Sequence, residues 1–167
     1  MKTLVLIRHA KSDWSDPNIT DMERPLNKRG KRDAPFMARL VKERGLYPDI
    51  ILTSPAERAM QTVNYFIEEL DVDKSKLHIK EEIYTKDSLT IRKIISQIDD
   101  SHNTVFLVGH NPDITSLANQ LLDVFIENIP TTGVVCIDFD FESWKDILSN
   151  RGQLRFFEYP KKYFKKK

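Results

Sequence analysis

Apolar residues along this chain gather in short runs, separated by longer stretches with a helical spacing of apolar positions. The first run, Leu4-Val5-Leu6-Ile7, is rich in leucine and β-branched residues and predicts a buried strand over Thr3–Ile7. Comparable runs predict strands over Ile50–Thr53, Thr104–Val108 and Gly133–Phe139, a weaker one near His78–Tyr84 and a last one near Gln153–Tyr159. Helical patterns fill the gaps. Asn27 is placed to cap a helix running to about Arg44, with Gly45 at the position where a left-handed residue ends a helix. Pro35 lies inside that stretch and is expected to kink or split it. Pro55 suits the first turn of a helix to about Leu70, whose Ala59, Val63, Phe66, Ile67 and Leu70 share one face. Further helices are predicted over Ser88–Ile98 and from Pro112 to Leu122. Strands alternating with helices imply an α/β fold, a three-layer α/β/α sandwich around a mostly parallel sheet.

Composition narrows this picture without redirecting it. The 167 residues suit a single domain over 1–167, with no repeat or low-complexity linker to divide it. A hydrophobic share of 40% and a charged share of 31% fit a soluble globular protein. The net charge of +1 calls for neither a nucleic-acid partner nor an anionic membrane. The basic residues that stand out, Lys161-Lys162 and Lys165-Lys166-Lys167, sit at the C-terminal end, so 161–167 reads as a solvated basic tail. The single cysteine, Cys136, lies in an apolar run and reads as a buried, inert thiol. No segment has the length of a membrane span or the pattern of a signal peptide, which makes the cytoplasm the expected compartment.

Chemistry enters at the strand ends. Three predicted strands run out into Arg8-His9-Ala10-Lys11-Ser12, Thr53-Ser54-Pro55-Ala56-Glu57-Arg58 and Val108-Gly109-His110-Asn111-Pro112. If these strands are parallel neighbours, two arginines and two histidines meet at the sheet edge where open α/β folds bind ligands. Each residue has an ordinary explanation alone, Arg58 as a surface arginine and either histidine as a loop residue. Together they describe an anion site. Guanidinium groups match a phosphoryl group in charge and geometry, and the helix after Pro55 adds its N-terminal N–H groups. A histidine among those cations is held neutral and can attack phosphorus, while a second stabilises the transferring oxygens. Two histidines also suit a metal, but paired arginines would repel a divalent ion. Lys11, Ser12 and Asn111 are additional candidates for substrate contact.

These segments, together with Ser54-Pro55-Ala56-Glu57-Arg58-Ala59-Met60-Gln61-Thr62 and Arg24-Pro25-Leu26-Asn27-Lys28-Arg29-Gly30, resemble the motifs of the histidine phosphatase superfamily, in order and over most of the chain. Where that family usually has glycine after Arg-His, this chain has Ala10. The short length and the Arg-His-Ala-Lys-Ser variant are similar to the compact SixA-type phosphohistidine phosphatases. The resemblance implies a phosphoglycerate-mutase-like fold. It implies that His9 is a nucleophile that becomes phosphorylated, that Arg8 and Arg58 bind the phosphoryl group, and that His110 stabilises its charge. Water then releases phosphate, with no metal and no cofactor.

Many such enzymes also have an acid that protonates the leaving group. Glu81 and Glu82 lie in the corresponding region; read as part of a strand, they point to opposite faces and only one can enter the site. Both also read as surface carboxylates beside Lys80. A site without a firm acid suits a substrate whose leaving group needs little help. The expected partner is therefore a phosphohistidine-bearing protein, the alternative a small phosphorylated molecule, and a non-catalytic phosphate-binding module the reading from another class. The long polar stretch Lys11–Leu26, carrying Trp14, is the one candidate lid, and an open, shallow site is expected.

Overall fold

Leu4 and Leu6 of the first strand enter one apolar core, while Val5 and Ile7 enter another. This follows from the two-residue period of a strand, and it means that both faces of the sheet are covered. The computed structural model describes residues 1–164. Its six strands are β1 (Lys2–Arg8), β2 (Ile50–Thr53), β3 (Leu77–Ile79), β4 (Thr104–Gly109), β5 (Val134–Phe139) and β6 (Gln153–Glu158). They form one sheet in the order β3-β2-β4-β1-β5-β6. Strands β1 to β4 pair in parallel, β5 pairs antiparallel with β1, and β6 pairs antiparallel with β5. Only β5 therefore runs against the rest.

Helices α1 (Lys28–Glu43) and α2 (Glu57–Leu70) cover one face. Met37, Ala38 and Val41 of α1 and Val63, Phe66 and Ile67 of α2 join Val5, Ile7, Phe106 and Val108 there. Helices α3 (Glu82–Thr85), α4 (Ser88–Ser96) and α5 (Asp113–Leu121) cover the other, with Ile83, Ile91, Ile95, Ile114 and Leu117 against Leu4, Leu6, Leu107 and Val135. The result is the three-layer α/β/α arrangement, and none of its helices among the described residues is long and apolar enough to cross a membrane.

The helix ends follow the side chains present. Asn27 Oδ1 accepts from the Gly30 N–H at 2.9 Å and caps α1, and Gly45 follows that helix at φ +72°. Gly30 has a second role. A Cβ there would lie 2.3 Å from the Lys11 carbonyl oxygen, so only glycine lets the first turn of α1 lie against the chain just beyond β1. Cys136 is buried in β5, and burial pushes its thiol up to about 12.

Two expectations are corrected. Pro35 does not split α1, which runs unbroken from Lys28 to Glu43. A proline forfeits one backbone hydrogen bond, and the buried Ala34, Met37, Ala38 and Val41 around it anchor the helix to the sheet. The weak strand near His78–Tyr84 stops at Ile79. After Lys80 N–H donates to Thr53 O, the chain turns into α3, with Tyr84 N–H donating to Glu81 O, because Ile83 is drawn into the core under Gly109. Glu81 and Glu82 therefore sit at the start of a helical turn rather than on opposite faces of a strand, and both are exposed. Of the expected basic tail, Lys161 and Lys162 are exposed. Pro160–Lys162 forms a 3-10 turn, and Phe164 packs edge-on against Phe36 with Arg32 stacked over it at 4.0 Å. The expectation for Lys165-Lys166-Lys167 falls outside the described residues.

Candidate active site

The ends of β1, β4 and β2 lie level with one another. Arg8 pairs with Gly109, and Ile7 and Thr53 both pair with Val108. His9 N–H donates to Gly109 O, and Ser54 N–H to Val108 O, each at 3.1 Å. The residues that follow, Arg8-His9, Ser54 and His110, therefore emerge from the same edge of the sheet. Thr62, one turn after Arg58, ties α2 to this edge: its hydroxyl donates to Arg58 O at 2.7 Å and accepts from Ala10 N–H at 2.9 Å. The start of β5 contributes from the other side, where Thr132 N–H lies 3.1 Å from both Arg8 O and His9 O. Thr132 adopts φ +60°, a conformation costly for a β-branched residue and met where the surroundings impose it.

The His9 and His110 rings face each other with centroids 5.0 Å apart. His9 is buried, and its Nδ1 lies 2.7 Å from the Ala10 carbonyl oxygen. A carbonyl only accepts, so Nδ1 carries the proton and Nε2 keeps its lone pair. His110 Nε2 lies 2.7 Å from Ser54 Oγ, and the edge of the Tyr84 ring contacts His110 at a centroid distance of 5.5 Å. Burial is the main cause that lowers His9 from 6.5 to about 3; the charges of Arg58 and Arg8 add to it, while the Ala10 hydrogen bond opposes it. Burial likewise lowers His110 to about 4, helped by Arg58 and opposed by Asp21. Both rings are therefore neutral at neutral pH.

This has a consequence for stability. Each histidine binds its proton more weakly in the folded chain than in the unfolded one, so acid favours unfolding. Their contribution is fully present above pH 6.5 and is lost as the pH falls toward about 4 and 3. Urea unfolding measured at intervals from pH 7 to 4 should show stability declining from about 6.5 downward. It should decline less steeply in His9→Ala, and equal slopes would contradict buried neutral His9.

The arginines are held differently from one another. Arg8 Nη1 donates to Ile129 O at 3.0 Å, and burial lowers its pKa, though a guanidinium stays charged at any working pH. Arg58 Nη1 donates to the Asp21 backbone oxygen at 2.7 Å, and Nη2 to Asp21 Oδ2 at 3.0 Å. Buried side-chain polar atoms normally have partners. Among the described residues the exceptions are Arg8 Nε, Arg24 Nε, His110 Nδ1, Thr132 Oγ1 and Gln120 Oε1. Arg8, His110 and Thr132 belong to the strand-end cluster, and Arg24 lies 3.6 Å from the Asp21 carboxylate. The unpaired Arg8 Nε–H is what an incoming oxyanion would satisfy, and so is His110 Nδ1 when His110 Nε2 accepts from the Ser54 hydroxyl.

The four strand-end candidates, Arg8, His9, Arg58 and His110, are thus brought together. The weaker ones are engaged in building the site. Lys11 is half-buried and its carbonyl accepts from Asn27 N–H at 3.0 Å, while Ser12 is buried and bridges Leu26. Asn111 is tied to a neighbouring loop. Its Nδ2 donates to Asn128 Oδ1 and Ile129 O, both at 2.9 Å, and its Oδ1 accepts from Thr115, so its amide fastens the loop before β5 instead of facing free space. Glu81 and Glu82 contribute no side-chain hydrogen bond to the cluster, although Glu81 shares a helix face with Tyr84. Among the described residues no three His, Cys, Asp or Glu side chains converge where a metal ion could be held.

Sequence reasoning missed Asp21 and Tyr84. Asp21 Oδ2 also accepts from the Tyr84 hydroxyl at 2.8 Å. Burial opposes its charge, but hydrogen bonds from Tyr84 and Arg58 and the charges of Arg58 and Arg24 hold the carboxyl below its ordinary range. Arg24 stacks over the Trp14 ring at 3.6 Å, and Trp14 is 67% exposed. An acid close before Arg24 in an otherwise unpatterned loop was the only available signal.

The family model for the histidine phosphatase superfamily (branch 1) matches residues 4–85. The fold is similar to that of a candidate phosphohistidine phosphatase SixA from Agrobacterium tumefaciens, with a TM-score of 0.81, 28% identity and coverage of 95% of this chain and 98% of that one. An uncharacterised chloroplastic protein of Arabidopsis thaliana is 28% identical over 90% of this chain and 72% of its own length. Phosphoglycerate mutase 1 of Saccharomyces cerevisiae is 37% identical, over 42% of this chain and 30% of that protein.

Proposed function

We propose that this chain, which belongs to the histidine phosphatase superfamily, removes phosphoryl groups from phosphohistidine in proteins through a phospho-His9 intermediate. One observation carries the reading: His9 Nδ1 is committed to the Ala10 carbonyl, so a neutral ring offers Nε2 beside His110 and two arginines. In the first step Nε2 attacks phosphorus. The bond from phosphorus to the leaving nitrogen breaks, and that nitrogen departs with the bonding pair, its imidazole having taken a proton from solvent. Arg8 and Arg58 hold the equatorial oxygens and His110 donates to one of them. In the second step water attacks the phosphorus of phospho-His9. The P–N bond breaks, Nε2 recovers its lone pair and inorganic phosphate leaves. No metal takes part in this scheme, so a chelator should leave the rate unchanged.

The leaving group decides the substrate class. A sugar alkoxide is a poor leaving group and needs a general acid, typically worth about 10²–10⁴ in rate. The exposed positions of Glu81 and Glu82 support a substrate that does without one. The similarity to the Agrobacterium protein points the same way. A second reading, a small phosphate ester, draws support from the similarity to a phosphoglycerate mutase. The two separate on a panel of phosphohistidine peptides and small phosphate esters assayed at equal enzyme concentration. Phosphohistidine should be cleaved much faster; efficient ester cleavage with phosphohistidine left intact would reverse the assignment. Phosphate binding with no turnover of either class would point to a binding module instead.

A further inference from the structure

Asp21 belongs to none of the strand-end segments, yet it touches both walls of the cluster. It takes both terminal nitrogens of Arg58, one with its backbone oxygen and one with its carboxylate, and the same Oδ2 accepts from the Tyr84 hydroxyl. Two contacts of this kind fix the plane of a guanidinium as well as its position. The remaining N–H groups of Arg58 are left for another anion. The next residue adds to the hold, since Met22 O accepts from Glu57 N–H at 2.8 Å at the start of α2.

A carboxylate beside a seat for a phosphoryl group works against binding unless its charge is already balanced. Here Arg58 and Arg24 flank it, with Arg24 Nε 3.6 Å from Oδ1. The compensation is order. A long side chain loses rotamer freedom when it grips an anion, and a guanidinium that is already held loses less.

We propose that Asp21 is a positioning residue of the phosphoryl site, holding Arg58 in plane for the transferring oxygens and Tyr84 against His110. This rests on the phosphatase reading above and makes the loop from Lys11 to Leu26 part of the machinery. Asp21 is not the missing general acid, because the hydrogens it receives from Arg58 and Tyr84 keep it ionised.

The test uses Asp21→Ala, Asp21→Asn and Asp21→Glu in the full chain, with circular dichroism and melting curves for each. Calorimetric titration with inorganic phosphate reads Arg58 without turnover, and initial rates on a phosphohistidine peptide give kcat and KM separately. Asp21→Ala should weaken phosphate binding by about tenfold or more and lower kcat further, with the melting curve unchanged. Asp21→Glu should restore most of both. Asp21→Asn, which still accepts from Tyr84 but lacks the charge opposite Arg58, should fall between. Phosphate affinity and kcat within about twofold of wild type in Asp21→Ala would overturn the proposal. So would equal losses in the Ala and Glu variants that follow a lowered melting temperature. A wild-type chain that binds phosphate but hydrolyses nothing would overturn the phosphatase reading alone, with Asp21 then judged on affinity. One that binds no phosphate would overturn both.

Discussion

Replacing His9 with alanine is expected to abolish turnover and leave the fold standing. The chemistry offers no substitute for Nε2: His110 is the one other imidazole in the cluster, and its Nε2 is engaged with Ser54. If His9 is the nucleophile as proposed, its loss removes the phosphoenzyme route altogether, and losses of about a thousandfold or more are expected. Stability should change little at neutral pH. His9 follows the last residue of β1, and its backbone contacts to Gly109 and Thr132 do not depend on the side chain. A change within about 2 kcal/mol is expected from urea unfolding. Mass spectrometry on chain mixed with substrate and kept out of acid should find a phosphohistidine at position 9 in the wild type and none in the variant. Turnover in His9→Ala close to wild type would sink the enzymatic assignment.

Arg58→Ala should have the second-largest effect. Arg58 is a fixed charge directed at the site, and such donors matter most where charge develops during transfer. Removing one in a water-poor site costs about 3–4 kcal/mol of transition-state stabilisation, or a loss of about 10²–10³ in kcat/KM. Lysine should not replace it. An ammonium cannot take two directed contacts from Asp21 and still present a planar fork to a phosphoryl group. Steady-state rates of Arg58→Ala and Arg58→Lys on a phosphohistidine peptide provide the check. Activity of either above about a tenth of wild type would contradict the role.

The two predictions concern residues that could be read from the chain before any coordinates, and the reason is local. His9, Arg58 and His110 follow buried strands at short, fixed intervals, so strand pattern alone brings them to one edge. Once β1, β4 and β2 are parallel neighbours, little freedom remains for where those side chains lie. Asp21 is different. It sits midway along a loop with no periodicity, and its place depends on contacts with α2 and α3 that no spacing encodes. Residues 81–85 failed for another reason. Ile79, Ile83 and Tyr84 are too few to separate a strand from a helical turn, and the pull of Ile83 into the core decided it. At Pro35, tertiary packing along α1 outweighed a local rule. Asn111 kept its predicted place at the strand end, but its amide is used on the loop before β5.

The loop that carries Asp21 is clasped at its root. Ser12 bridges Leu26, Asp13 N–H donates to Pro25 O at 2.8 Å, and the span between those anchors leaves the sheet and returns to almost the same point. Such a clasp holds the two ends of the loop together, while Asp21 and Met22 near its return tie it to Arg58, Tyr84 and Glu57. Lengthening a loop whose ends are already joined is cheap, about 0.6 kcal/mol for each doubling. The catalytic edge can therefore be given a longer or shorter awning by changing residues 14–20, without disturbing a strand. In evolutionary terms the exposed residues of this arm can change its clientele while the sheet stays as it is.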